Sequence, residues 1–210
     1  MAGMVLYCKK KSNFALVEVR TIIKKGREKK VWFAIRVTYH RELRVKEDLE
    51  SRGITCFVPM QYRREERNGV MLKRLVPSVH NLIFVYIKPS DMAEYKKTSD
   101  MPIRYIMNRE THKPITVPTR EMENFIKIAG TFEEKLIYLN PDLGDFAKGE
   151  RVRIIGGMFA GAEDVFVRVK GDRRVVVNVE GLVAVATTFV HPSMIEKITD
   201  PEPKQLDNAL

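Results

Sequence analysis

Lys148-Gly-Glu-Arg-Val-Arg-Ile-Ile-Gly-Gly-Met-Phe-Ala-Gly161 decides the fold of the carboxyl-terminal part of the chain. Gly149 supplies a turn. Arg151, Arg153 and Ile155 then alternate with Val152 and Ile154, so a strand there has one basic face and one that can be buried. Gly156, Gly157 and Gly161 space a loop that carries a single aromatic, Phe159, either presented to a partner or packed over the mouth of a small barrel. Four strand-like runs follow, Asp164 to Lys170, Arg174 to Glu180, Leu182 to Val190 and Met194 to Ile198, with Gly171-Asp172 as a tight hairpin signal between the first two. Five short strands in so short a segment describe a compact β-barrel over residues 148–198.

Upstream, the period changes back and forth. Val31 to Val37 is an apolar strand. Between Tyr39 and Arg52 the pairs Tyr39/Leu43 and Val45/Leu49 fall at i,i+4, and Gly53 stands at a helix C-cap position. Ile54 to Pro59 reads as a strand, Gln61 to Val76 as a charged hairpin turning at Asn68-Gly69, and Leu82 to Ile87 as a central strand covered on both faces. Ser90 starts a helix to Thr98, and Ile103 to Met107 is a further strand. Thr119 caps a helix whose Met122, Phe125, Ile126 and Ala129 form a stripe facing the sheet. The order β-α-β-hairpin-β-α-β-α predicts an α/β sandwich on a mostly antiparallel sheet, which with the barrel makes an α+β chain. Its segments are a basic extension 1–30, the sandwich 31–139, a turn-rich linker 140–147, the barrel 148–198 and a disordered tail 199–210.

The chain has 210 residues and a formal net charge of +10, which points to an anionic partner. Residues 1–31 alone carry a balance of +7, so the folded part is nearly neutral. Two unpaired cysteines, Cys8 and Cys56, fit a reduced cytoplasmic protein. No apolar run approaches the roughly 20 residues of a membrane span, and Lys9 to Lys11 interrupt any secretory core. His40, His80, His112 and His191 stand apart in sequence, no nucleophile sits beside a base, and the glycine loop lacks the Gly-Lys-Ser/Thr of a phosphate cradle. The pattern predicts neither an enzyme, nor a cofactor, nor a metal.

Gly149-Glu150-Arg151-Val152-Arg153-Ile154 with Gly157-Met158-Phe159-Ala160-Gly161 resembles the KOW domain of NusG-type transcription factors and some ribosomal proteins, although Ala162-Glu163-Asp164 stands where that family usually has another glycine. Trp32 to Val37, the helix around Glu42 to Leu49, Ile54 to Met60 and His80 to Val85 look like the amino-terminal (NGN) domain of the same factors. Phe57-Val58-Pro59-Met60 and Val79 to Val85 are most similar to the specialised antiterminators RfaH and, more closely, UpxY, which acts on capsular polysaccharide loci.

The resemblance implies a monomeric transcription elongation and antitermination regulator. Its first domain docks on the clamp helices of the RNA polymerase β′ subunit, bridges toward the β lobe and suppresses pausing or termination. In that picture Leu82, Phe84, Ile103, Tyr105 and Phe125 belong to the polymerase groove, and some of them line an apolar patch open to water. Arg36, Tyr39, His40 and Arg41 face the upstream fork and the non-template DNA strand, with Arg63 and Arg64 of the hairpin as a second phosphate contact; a solvated charged surface is the alternative for both. Phe159 and Arg153 of the barrel recruit ribosomal protein S10 or Rho. A rival of another class is a ribosome- or RNA-binding KOW protein whose sandwich is only a scaffold.

Overall fold

The structure, a computed structural model, describes residues 28–139, 150–169, 171–179 and 182–198. The predicted linker 140–147, the tail 199–210 and nearly all of the basic extension lie outside these residues.

The front unit runs β1 (Val31–Val37), α1 (Glu42–Ser51), β2 (Thr55–Phe57), β3 (Met60–Arg67), β4 (Val70–Pro77), β5 (Leu82–Ile87), α2 (Pro89–Thr98), β6 (Ile103–Tyr105), β7 (Thr116–Val117) and α3 (Thr119–Ala129). This is the predicted order with one short strand added. The sheet order is β2-β5-β1-β6, with β7 also on β1, and every pairing is antiparallel. Residues paired across strands share a face. Phe33, Ile35, Val37, Ile83, Val85 and Ile87 therefore pack with Val45 and Leu49 of α1 and Met92 and Tyr95 of α2. Trp32, Ala34, Leu82 and Phe84 face the other way, toward Met122, Phe125, Ile128 and Ala129 of α3.

Helix ends differ from expectation in detail. Tyr39 and His40 adopt left-handed φ of 63° and 51°, so α1 begins only at Glu42. Gly53, at φ 70°, closes that helix by donating its N–H to the Glu50 carbonyl at 2.9 Å. Neither Ser90 nor Thr119 caps with its side chain: Pro89 and Thr119 open the helices, after Lys88 and Pro118 in extended backbone. Strands β3 and β4 form a separate two-stranded ribbon turning at Asn68-Gly69, with register Met60↔Pro77 to Arg67↔Val70.

The rear unit contains β8 (Ile137–Leu139), β9 (Glu150–Ile154), β10 (Glu163–Val169), β11 (Asp172–Val179), β12 (Val183–Ala186), a 3-10 turn Pro192–Met194 and β13 (Ile195–Lys197). They form one antiparallel sheet, β13-β9-β10-β11-β12-β8. Five strands follow the sequence reading. The sixth, β8, comes from the last three residues assigned by sequence to the sandwich: Ala184↔Leu139 to Ala186↔Ile137 covers the edge of β12, which would otherwise show unpaired backbone.

Candidate functional site: a shared apolar face and the β1–α1 turn

Strand alternation and one helix create the first feature. Leu82 and Phe84 of β5 point toward α3, where Phe125 sits edge-on to Phe84 at 5.6 Å and to Phe57 at 6.1 Å between ring centroids. Trp32 and Tyr86 stack beside them at 5.1 Å. The cover does not stop at α3. Val175, Val177, Val179, Val183 and Val185 of β11 and β12, with Val152, Ile154 and Phe159, belong to the same continuous core. Helix α3 is the shared layer between two sheets.

This arrangement corrects the expectation of a recess open to water. Leu82, Phe84 and Phe125 are all buried where β5 meets α3, and the rear sheet belongs to the same core beyond that helix. The front sheet also divides the five predicted groove residues. Ile103 and Tyr105 pair with Val37 and Ile35 and so lie on the α1/α2 face, away from Leu82 and Phe84. Tyr105 is half-buried against Phe33 at 5.8 Å with Lys96 over its ring at 4.8 Å, and burial pushes its phenol up from the ordinary value.

In the rear unit the glycine loop folds as its spacing suggests. Gly157 and Gly161 take φ of 78° and 81°, and the Gly161 N–H returns to the Ile154 carbonyl at 2.7 Å. Phe159 is 5% exposed, so of its two sequence readings the packed one holds here. Arg153 pairs with Glu163 at 2.7 Å, and Glu163 also receives Arg120 of α3 at 2.7 Å. Hydrogen bonds from Arg120 first and Arg153 second hold the Glu163 carboxyl below its ordinary range. Lys127 of α3 donates to the Gly161 carbonyl at 2.9 Å. Next along the strand, Asp164 moves the opposite way, pushed up by burial.

The second feature is the turn between β1 and α1. Tyr39 is 78% exposed with Arg41 5.7 Å over its ring, and Arg36 and His40 are exposed as well, so each of the four residues expected to contact nucleic acid is accessible. The β4–β5 loop is fastened to it: the Asn81 N–H donates to Oε1 of Glu42, and the Val37 N–H donates to the Asn81 carbonyl at 3.0 Å. His80 is thereby brought against His40, with ring centroids 5.1 Å apart and edge-on. Two histidines that stand apart in sequence are neighbours in the fold, which sequence spacing alone gives no means of seeing.

On the ribbon, Arg63 stands opposite Arg74 and Arg64 opposite Lys73, like charges facing each other across the ladder. Arg64 is answered by Glu134 at 3.0 Å and Arg74 by Glu65 at 3.5 Å. Exposed Val70, Met71 and Leu72 precede Lys73 and Arg74 on β4, and exposed Leu75 follows them. Cys56, the one cysteine described, is partly buried, and burial pushes its thiol up to about 11, away from nucleophilic use. Among the described residues no helix is long and apolar enough to cross a membrane.

No curated protein matches the chain. One solved structure, "Domain interaction in Thermotoga maritima NusG", is similar at 18% identity over 81% of this chain and 98% of that one, with a TM-score of 0.42. Residues 30–126, from the start of the front sheet into α3, match the family model described as NusG, transcription termination factor nusG, so the front unit is similar in sequence to that family.

Proposed function

We propose that this chain is a transcription elongation and antitermination regulator that binds RNA polymerase through its front unit. The surface that carries the proposal is the apolar face of Leu82, Phe84 and Phe125, whose outer cover is a separate unit of the same chain. An amphipathic helical tip such as the β′ clamp helices presents chemistry able to take that place, with its apolar side toward α3 and β5. Ile103 and Tyr105 support the sheet from behind and do not form part of this surface. The β3–β4 ribbon is the element proposed to reach toward the β lobe.

Rear-sheet closure and clamp binding then exclude one another, because both use one face. Arg36, Tyr39, His40 and Arg41 meet the non-template strand, cations on phosphate and Tyr39 stacked on an unpaired base, with Arg63 and Arg64 as further phosphate contacts. Phe159 and Arg153 meet S10 or Rho only after release, since Phe159 is buried and Arg153 is engaged with Glu163 in the closed form. The target is a long operon of the capsular polysaccharide kind, on the strength of the UpxY-like residues Phe57 to Met60 and Val79 to Val85. The working form is a cytoplasmic monomer.

Transcription in vitro with purified polymerase across a terminator tests this reading. Added protein should raise read-through, and Val177→Asp, which places a charge in the rear half of the shared core, should raise it further by opening the joint. Unchanged read-through together with no native-gel shift of elongation complexes removes the proposal. Retention on ribosomal RNA in the same preparation favours the scaffold reading instead.

A further inference from the structure

We propose that His40, Glu42 and His80 form a transition-metal site of the zinc class where the β1–α1 turn meets the β4–β5 loop. Each residue offers one ligand atom, and these atoms all lie within 4.8 Å of one another. Two imidazoles and a carboxylate are donors for zinc and its first-row neighbours, whereas calcium and magnesium take oxygen sets. Metal–ligand bonds of about 2.0–2.1 Å place tetrahedral ligand atoms ~3.3 Å apart. Both histidines are exposed, so rotation of their rings supplies the remaining approach while Glu42 stays fixed.

Glu42 is the observation that points to a cation. Its side chain is 1% exposed, and acidic side chains are almost never so buried unless paired. Among the described residues its hydrogen bond is the one from the Asn81 N–H to Oε1, and no ion pair answers the charge. The neighbouring cation, Arg41, lies over the Tyr39 ring instead. A buried carboxylate facing one backbone N–H is unfavourable, and a dication bound through Oε2 would compensate it. The Asn81 bond in turn fixes the orientation of the carboxylate, the role outer partners play at metal sites. Three protein ligands leave a fourth position for water or an added anion, on the exposed surface that also bears Tyr39 and Arg41.

The test uses full-length, tag-free protein stripped with a chelator. Zinc titrated in competition with a chromophoric chelator should bind at one equivalent. His40→Ala, His80→Ala and Glu42→Gln should each weaken binding at least tenfold. Cobalt should give a visible spectrum without a thiolate charge-transfer band, which excludes a site built on Cys8 or Cys56. Zinc should raise the melting temperature of the native chain and not that of His40→Ala, whose metal-free melt shows whether it is folded; because both histidines are exposed, these variants keep the test valid even if Glu42→Gln unfolds. Failure to bind zinc stoichiometrically, or native affinity in the His40→Ala/His80→Ala double variant, overturns the site. None of these readouts depends on polymerase.

Discussion

The two faces of the front sheet are equally dry, yet they are covered by different kinds of chain. On one side Phe33, Ile35, Val37, Ile83 and Val85 lie under α1 and α2, helices that directly follow β1 and β5 in sequence. Those helices are tied to each other by the Tyr95 hydroxyl donating to Asp48 at 2.7 Å. On the other side Trp32, Ala34, Leu82 and Phe84 lie under α3 and, beyond it, a sheet built from residues as distant as Ile195. Its polar ties, Arg120 to Glu163 and Lys127 to the Gly161 carbonyl, sit at the surface. Exposed ion pairs contribute about 0–1 kcal/mol, so apolar contact holds this joint. Apolar contact is non-directional and can be exchanged for another surface of similar shape, whereas the local cover leaves only if a helix unfolds. Equal burial does not mean equal permanence.

The largest test of that contrast is Phe125→Ala. The ring touches Phe57 and Phe84 and belongs to the core shared with the rear sheet, so its loss should cost about 3–5 kcal/mol in urea unfolding. Leu49→Ala, on the local face, should cost a comparable ~2–5 kcal/mol. The two should separate in native-state hydrogen exchange: Phe125→Ala speeds exchange in β11, and Leu49→Ala leaves it alone. Identical exchange patterns would make the faces equivalent and end the comparison.

Tyr95→Phe sharpens the local side. Removing the bond to the Asp48 carboxylate should cost about 1–2 kcal/mol near neutral pH. The bond also sets a pH signature. Burial first, and then the Asp48 bond, push the Tyr95 phenol up from 10 to about 12. A phenol that ionises more readily unfolded than folded contributes stability fully below pH 10 and loses it as pH rises toward 12. Asp48, held low chiefly by Tyr95, contributes above the ordinary carboxylate range and loses it in acid. The alkaline signature should be absent from the Tyr95→Phe stability profile and the acid one reduced to what Arg52 sustains at Asp48; an unchanged alkaline limb would mean that the tie between the helices does not set it.

The local side was also the legible one. Alternation in Val31 to Val37, the Asn68-Gly69 hairpin signal and the capping Gly53 are short-range features, and the elements they announce are where the spacing puts them. Helix α3 shows the limit. Its Met122, Phe125, Ile126 and Ala129 read as a stripe facing the sheet, but Ile126 is only partly buried and Ile128 is fully buried, because a second sheet lies beyond the helix. Nothing in an eleven-residue window reports a partner supplied by residues 150–195. The same holds for β8, whose Ile-Tyr-Leu is too short to announce a strand until an open edge of β12 receives it. His40 and His80 meet only because Asn81 bonds to both Val37 and Glu42, a link between positions some forty residues apart.

The smallest expected effect lies on the exchangeable side. Arg120 is 70% exposed, so Arg120→Ala should lower global stability by only ~0.2–1 kcal/mol. Its influence is on acid response. Glu163, held low by Arg120 before Arg153, contributes to closure above its unfolded value of about 4.5 and stops doing so as pH falls through its lower folded value. Asp164, raised by burial, has the opposite sign: its contribution is full at low pH and is lost as pH rises. The two neighbours partly cancel in the native chain. Arg120→Ala returns Glu163 toward its ordinary range and leaves Asp164 in place, so the variant's joint should loosen less on acidification than the native one, from a slightly weaker start. Chemical shifts of the Val175 and Val177 methyls followed from pH 6 to pH 3 would register this. A native-like acid response would mean that the ion pair spanning α3 and β10 carries no closure energy, leaving apolar contact alone to decide when the rear sheet yields the face.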